Sequence, residues 1–465
     1  MRYFLKAGLP ALALLVLCSV QPALAADVKV APHHPIPVQS GDVVSMRDSV
    51  AATLSYNPTI KAFQEYHQAA EHDLKRARSG WFPRVDARAA YGAEQWSDSV
   101  TRQRGTSSYR QNNREFYSRS EASLTISQTI WDGMATKNRV SMAQTRLDSA
   151  ETRLFDNAEA LGLDAVLAHI EVYRQRRIVA LAELNVKNHK SILASQFERH
   201  RSGASTMADV TQTQSRLART EASLAESRQA LEVAVHNYKA LTGREPDVMA
   251  PPAAPQDAYP SLEACLSRSQ FANPKIKAQR SDIETQQAQA GLDKSAFSPN
   301  IYLEAGPTYT YQGGSSIDDQ GGMLVMLRAS WNLFNGGYDW FNVKGSLARA
   351  RQMKQELNSL LDSLRQESEN TWSELMASRD LSKHYSDAVD FSTKTRDMYL
   401  EQFNVGQRSL LDVLDSENEL FSYSIQLVTA QQNIIATQYR LLALGGDFLA
   451  SFKMDRHELV VSTEK

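Results

Sequence analysis

Cysteine is almost missing from this chain. Its 465 residues hold two, Cys18 and Cys265, too few for a disulfide framework or a thiolate metal site. Long apolar runs are missing as well: after residue 25 nothing approaches the ~18 uninterrupted apolar residues of a spanning helix, so any membrane crossing must be made by strands. A charge excess is missing too. The net charge of −2 offers no basic surface to nucleic acid, which is therefore not expected as a partner. There is no GxxxxGK[ST] loop, HExxH, CxxC or GxSxG, so the chemistry those motifs carry is excluded. The ten histidines are scattered, and the five-residue spacing of His67 and His72 puts them on different helix faces. They read as solvated side chains. No enzymatic activity, metal or cofactor is expected.

Proline is absent from residues 135–202, and Gly162 is the single glycine there. The stretch predicts one helix of about 100 Å at 1.5 Å per residue. A compact globule of this length would be only ~60 Å across, so an elongated molecule is expected. Residues 338–405 predict a second helix of the same kind, with Gly345 inside it.

What is present is a folded composition, with 42% hydrophobic and 22% charged residues. Arg2 and Lys6, an apolar run over residues 9–20 and Ala23-Leu24-Ala25 form the pattern of a secretory signal over residues 1–25. Leu17 stands where a lipoprotein signal needs a small residue, so ordinary cleavage after Ala25 is expected, which also removes Cys18.

The remainder is a duplication. Gly406 over Gly203, Asp412 over Asp209, Phe334 over Trp131 and Gly446 over Gly243 all lie 203 residues apart. Upstream, Asn273-Pro274 over Asn57-Pro58 and Pro299 over Pro83 lie 216 apart, so the first repeat has 13 extra residues between Pro83 and Trp131. The expected units are a first repeat over 26–243, a Pro-rich connector over 244–260, a second repeat over 261–446 and a C-terminal periplasmic tail over 447–465.

Each repeat holds two stretches of period-two alternation. In the first, Val85, Ala87, Ala89 and Tyr91 oppose Arg84, Asp86 and Arg88; Ala122, Leu124 and Ile126 oppose Glu121, Ser123 and Thr125, after a polar loop over 97–118. In the second, Ile301, Leu303 and Ala305 oppose Asn300 and Glu304. Val325, Leu327, Ala329, Trp331 and Leu333 oppose Arg328, Ser330 and Asn332. Each is long enough to span a bilayer when tilted, which takes about 9–11 residues. Under that reading Arg84, Asp86, Arg88, Glu121, Glu304 and Arg328 line a wet lumen. Four strands cannot close a barrel that needs about eight, so the chain is expected to oligomerise. A soluble coiled-coil scaffold is the alternative from a different class. It suits the strict heptads Val210, Leu217, Leu224, Leu231, Tyr238 and Val413, Leu420, Leu427, Ile434, Leu441, but leaves the paired amphipathic strands unexplained.

The sharpest signals lie where each long helix turns back. In QFNVGQRSLLDVLD, Gly406 is a stop and Ser409 followed by Asp412 a restart; in RSGASTMADV, Gly203 is the stop and Thr206 with Asp209 the restart. Both aspartates read equally well as cap carboxylates. Asp415 lies too deep to cap, and shares a helix face with Asp412.

The duplicated repeats, the WFPR and FSPN strand openings, TIWDG and NLFNGG at the strand-to-helix junctions and FNVGQRSLLDVLD at the turn together resemble the TolC family of outer-membrane export channels, over essentially the whole mature chain. The resemblance implies an α+β membrane protein. Three copies would form a homotrimer whose β-barrel, four strands per chain, sits in outer-membrane lipid and continues as a long α-helical periplasmic barrel. It implies a periplasmic adaptor and an inner-membrane transporter, ABC or proton-driven, as partners. It assigns Phe403, Arg408, Asp412 and Asp415 to a constricting gate and its latch, Asp209 to the latch of the first repeat, and the tips around Gly203, Thr206, Gly406 and Ser409 to adaptor docking. His200 departs from the aromatic usual at its position. The NLFNGG junction and long helices lean toward the branch that serves type I secretion of protein, with small-molecule efflux as the alternative.

Overall fold

The computed structural model describes residues 43–95, 116–201, 205–256, 258–312, 319–404, 407–455 and 458–461. The expected signal segment, Gly203, Gly406 and residues 96–115 lie outside the described residues. The order is α1 (Met46–Tyr56), α2 (Pro58–Arg78), β1 (Arg84–Gln95), β2 (Phe116–Trp131), α3 (Ala135–Arg201), α4 (Met207–Thr242), α5 (Leu262–Ala272), α6 (Pro274–Lys294), β3 (Asn300–Gln312), β4 (Asp319–Ser330), α7 (Tyr338–Asn404), α8 (Leu410–Gly445) and two short C-terminal helices, α9 (Phe448–Ser451) and α10 (Glu458–Val461).

The duplication is visible helix by helix. α1 and α5 have 11 residues each, α2 and α6 have 21, α3 and α7 have 67, and α4 and α8 have 36. The boundaries agree because their signals are local. Asn57 and Asn273 cap helices that begin with proline, each accepting from a backbone N–H two residues on. Gly243 and Gly446 end the return helices at φ 69° and 75°, a conformation glycine adopts without strain.

The four strands form one antiparallel sheet in the order β1-β2-β3-β4. Val85 pairs with Ile126, Ala87 with Leu124 and Ala305 with Val325, so the apolar residues share one face; Asp86 opposite Thr125 and Tyr302 opposite Arg328 lie on the other. On the polar face Arg84 pairs with Asp86, Arg119 with Glu94 and Glu121, and Arg328 with Glu304. The β2–β3 ladder skips Leu124 and Thr125 opposite Pro307 and Gly306. Proline has no N–H to offer there, and a Cβ on Gly306 would stand 1.8 Å from Leu124 O.

Two strand boundaries differ from expectation. β2 begins at Phe116, inside the expected loop, because Phe116 pairs with Gln95. β4 runs over Asp319–Ser330 rather than on to Leu333: Asn300 pairs with Ser330 and is the first residue of β3, so Trp331 to Phe334 have no strand opposite them. Gly321 and Gly322, weak strand formers, are held by Tyr309 and Thr308 across the ladder.

The main core lies where both repeats meet. Val50, Ile60, Leu154 and Val166 from the first repeat pack with Tyr439 and Leu442 from the second and with Phe448 and Leu449 just beyond it. The expected tail thus joins the core: Phe448 and Leu449 are 0% and 1% exposed, and Phe452, Met454, Leu459 and Val460 pack against it. The Pro-rich connector is also pinned: Val44 N donates to Val248 O and Ala250 N to Val44 O.

Histidine is the other correction. His169 and His189 are 0% and 2% exposed rather than solvated. His169 Nε2 lies 3.0 Å from Ala250 O and Nδ1 3.0 Å from Ser49 Oγ, which in turn meets Tyr238 Oη at 2.9 Å. Burial holds the His169 imidazole below its ordinary pKa. Burial also pushes the Cys265 thiol up to about 11, which leaves it inert at neutral pH.

Candidate gate at the hairpin tips

The second tip is built where α7 ends and α8 begins. Gln407 N donates to Gln402 O at 2.8 Å, closing the end of α7. Ser409, extended at φ −79° and ψ 153°, caps α8 by accepting from Asp412 N at 3.2 Å. Leu410, Val413 and Leu414 fold under the turn and bury Phe403, with Tyr399, Leu400 and Ile192 around them. Phe403 is 7% exposed, a core anchor rather than an open side chain in this chain.

Arginines decide the electrostatics. Arg408 lies with its guanidinium 3.9 Å over the Tyr399 ring and its Nε 3.3 Å from Asp412 Oδ2. Asp415, one turn deeper, meets Arg216 Nη2 of α4 at 3.1 Å. Arg199 of α3 lies 4.2 Å from the Phe403 ring centroid, and its Nη2 donates to Phe403 O at 3.0 Å, placing a cation on the carbonyl end of α7. The tie between Asp415 and Arg216 crosses from one repeat to the other. Sequence reading missed both Arg199 and Arg216, since neither lies near its partner along the chain; the cationic run Arg199-His200-Arg201 at the end of α3 was the available signal.

The first tip differs. Thr206 and Asp209 form a reciprocal capping box: Thr206 Oγ1 accepts from Asp209 N at 3.3 Å, and Asp209 Oδ2 accepts from Thr206 N at 3.1 Å. Thr206 Oγ1 at 2.9 Å and Ser205 Oγ at 3.2 Å complete the set on the same oxygen. The hydrogen bonds from Thr206 and Ser205 hold the Asp209 carboxyl below the usual range, the Thr206 backbone N–H foremost. These contacts keep Asp209 within its own turn. His200, in place of an aromatic anchor, is exposed, with Nδ1 3.1 Å from Ser205 O.

The structure therefore joins Arg408 to Asp412 and Asp415 to Arg216, buries Phe403 and leaves Asp209 as a cap. Two carboxylates three residues apart on one helix, each held by one partly exposed arginine, can exchange those partners for a cation at little cost, since exposed ion pairs are worth about 0–1 kcal/mol.

Comparison with known proteins completes the description. A family model described as outer membrane efflux protein matches residues 50–244 and 265–447. The outer membrane efflux protein BepC of Brucella suis is 25% identical over 328 residues, covering 70% of this chain and 72% of that protein. Among solved structures, the Campylobacter jejuni CmeC outer membrane channel gives a TM-score of 0.76 at 13% identity, covering 90% of this chain and 88% of that one. VceC, an outer membrane protein of Vibrio cholerae, gives 0.71 at 18% identity over 87% and 96%. At such identities the likeness to these structures is one of fold.

Proposed function

The chain belongs to the outer membrane efflux protein family, and on that premise we propose that three copies assemble into the exit duct of a tripartite export machine. It is an outer-membrane channel protein with a periplasmic extension, and not an enzyme. The observation that carries assembly between copies is the sheet itself: β1 and β4 are its edges, and one face exposes Val325 and Leu327 at 65% and 68%. An open edge within lipid leaves backbone groups unsatisfied, so β4 of one copy must pair with β1 of the next. Three copies supply twelve strands, above the minimum of about eight. Planar-bilayer recordings of the purified protein test this reading against a periplasmic scaffold, which would conduct nothing.

The gate is the ring of Asp412 and Asp415, with Arg408 and Arg216 as the intrachain cations that compensate them; an adaptor docks on the tips around Gly203, Thr206, Gly406 and Ser409. An inner-membrane transporter, ABC or proton-driven, supplies the energy. For cargo we favour protein, by type I secretion, on the NLFNGG junction over residues 332–337 and the 67-residue helices. Cells lacking the gene should then lose a secreted protein and keep their tolerance of small toxic compounds; the opposite pattern would establish small-molecule efflux.

A further inference from the structure

Next to the sheet, where α2 leads into β1 and α3 leaves β2, a groove of about 470 Å³ runs between the two helices. Small residues make the room: Ala69, Ala70 and Ala77 of α2 and Ala143 of α3 line it. Its charges are Arg76 from α2, Arg139 and Arg146 from α3, and Asp73 as the one carboxylate among the lining residues. Arg76 Nη2 stands 3.0 Å from Asp73 Oδ1, in an ion pair with both side chains more than half exposed. Among the described residues Arg139 donates to a hydroxyl, Thr136 Oγ1 at 3.4 Å, and neither it nor Arg146 pairs with a carboxylate. Three guanidinium groups against one carboxylate leave the groove positive.

The duplication shows that the wall does not need these charges. Leu292 stands where Arg76 does, 216 residues on, and Asn342 where Arg139 does, 203 on, yet the second repeat builds helices of the same 21 and 67 residues. Arg146 alone has an arginine counterpart, Arg349, whose Nη2 donates to Ser346 Oγ of its own helix at 2.9 Å. Orientation then selects the kind of ligand. Gln64, which donates to Leu459 O of α10, lies about half a turn around α2 from Tyr66 and Asp73 at 3.6 residues per turn. The C-terminal elements therefore pack on one flank of α2 and the groove opens on the other. In a closed duct the flank that carries α10 is the outer one, since inside it would fill the passage, so the groove opens to the interior rather than to lipid.

We propose that this groove binds a soluble organic anion bearing two phosphate groups, held by Arg76, Arg139 and Arg146, with its organic part against Tyr66 and the alanines. Guanidinium groups meet phosphate oxygens in bidentate pairs. Arg139 and Arg146 lie two turns apart on one face of α3, about 10 Å along its axis, which suits two phosphates better than one. At about 30 Å³ per water the volume also exceeds a lone phosphate. In the assembled duct three such sites set positive charge beneath the barrel, at the far end from Asp412 and Asp415. That placement rests on the channel reading above. The binding does not.

Calorimetric titration of the purified full-length protein in non-ionic detergent with sodium pyrophosphate is the test, against inorganic phosphate, spermidine, and mixed micelles of cardiolipin, a lipid that brings the same two phosphates. Saturable binding of pyrophosphate at one site per chain is expected, weaker at higher salt, with inorganic phosphate about tenfold weaker or more and no binding of spermidine. Arg76→Leu and Arg139→Asn install the residues with which the second repeat folds, and each should weaken pyrophosphate about fivefold or more. Thermal melts accompany both variants. Arg349→Gln, in the second repeat, should leave binding unchanged. Equal weakening in Arg349→Gln would make the effect one of net charge. Binding of cardiolipin micelles without pyrophosphate would give the groove to lipid, and no saturable binding would leave the arginines to solvent; each overturns the proposal. Pyrophosphate binding by a protein that shows no channels in bilayers would leave this site standing and end the channel reading instead.

Discussion

The two hairpin tips share one sequence pattern and hold their aspartates differently. Both join a 67-residue helix to a 36-residue one, and both begin the return helix with a hydroxyl cap and an aspartate three residues on. In the first, Ser205 stands beside the cap and donates to Asp209, which turns back on the helix start. In the second, Arg408 occupies the equivalent position, 203 residues later, and draws Asp412 outward. Ser409 still caps Asp412 N, but the carboxylate is paired with arginine. One residue thus separates a carboxylate held by its own cap from one paired with arginine. Asp415 has Gln212 as its first-repeat counterpart, so the second carboxylate also belongs to one tip alone.

The anchors should separate the tips most strongly. Phe403→Ala removes a buried ring and should destabilise the α7–α8 turn by about 3 kcal/mol, while His200→Ala, on an exposed residue, should cost well under ~1 kcal/mol. Hydrogen exchange at residues 399–414 and 196–210 reads both, and equal effects would erase the distinction.

Conduction comes next. Asp412→Ala with Asp415→Ala should weaken block of the channel by a trivalent cation added at the periplasmic side by about tenfold or more, through loss of paired charge. Asp209→Ala should leave block intact. Unchanged block in the double variant would return both residues to structural roles; lost block in Asp209→Ala would bring the first tip into the gate.

The caps distinguish the tips less. Thr206→Ala should cost about 1 kcal/mol, within the usual 0.5–2 for a lost cap, and Ser409→Ala less, since its box is not reciprocal. Arg408→Ser should let Asp412 turn back to Ser409 N, making the second tip resemble the first. A structure of that variant with Asp412 still turned outward would show that Arg408 is not what holds it.

The smallest effect is titration. Asp209 has a depressed folded pKa, so its contribution is present above the unfolded carboxylate value, about 3.9, and is lost as pH falls through the folded one. Protection at the first tip should decline only in that acid range, and Asp209→Asn should abolish the decline. A decline beginning near neutrality would assign it to another group. His169 acts at the other end: its imidazole is held neutral by burial, so its contribution is present above about 6.5 and falls on acidification.

Helix lengths, strand faces, caps and the duplication were legible in the sequence because each depends on residues within one or two turns of one another. Pro58, Pro274, Gly243 and Gly446 punctuate the chain wherever they stand, and alternation divides β1 into two faces before any partner is known. Tertiary structure alone decided where β4 stops, since Trp331 continues the alternation but lies past the first residue of β3. It also buried His169, seated Phe448 in the core and brought Arg199 and Arg216 to the second tip. Each of these rests on a partner in another element, 30 residues away for Ser330 with Asn300 and 204 for Arg199 with Phe403, and no local pattern encodes how two such surfaces meet.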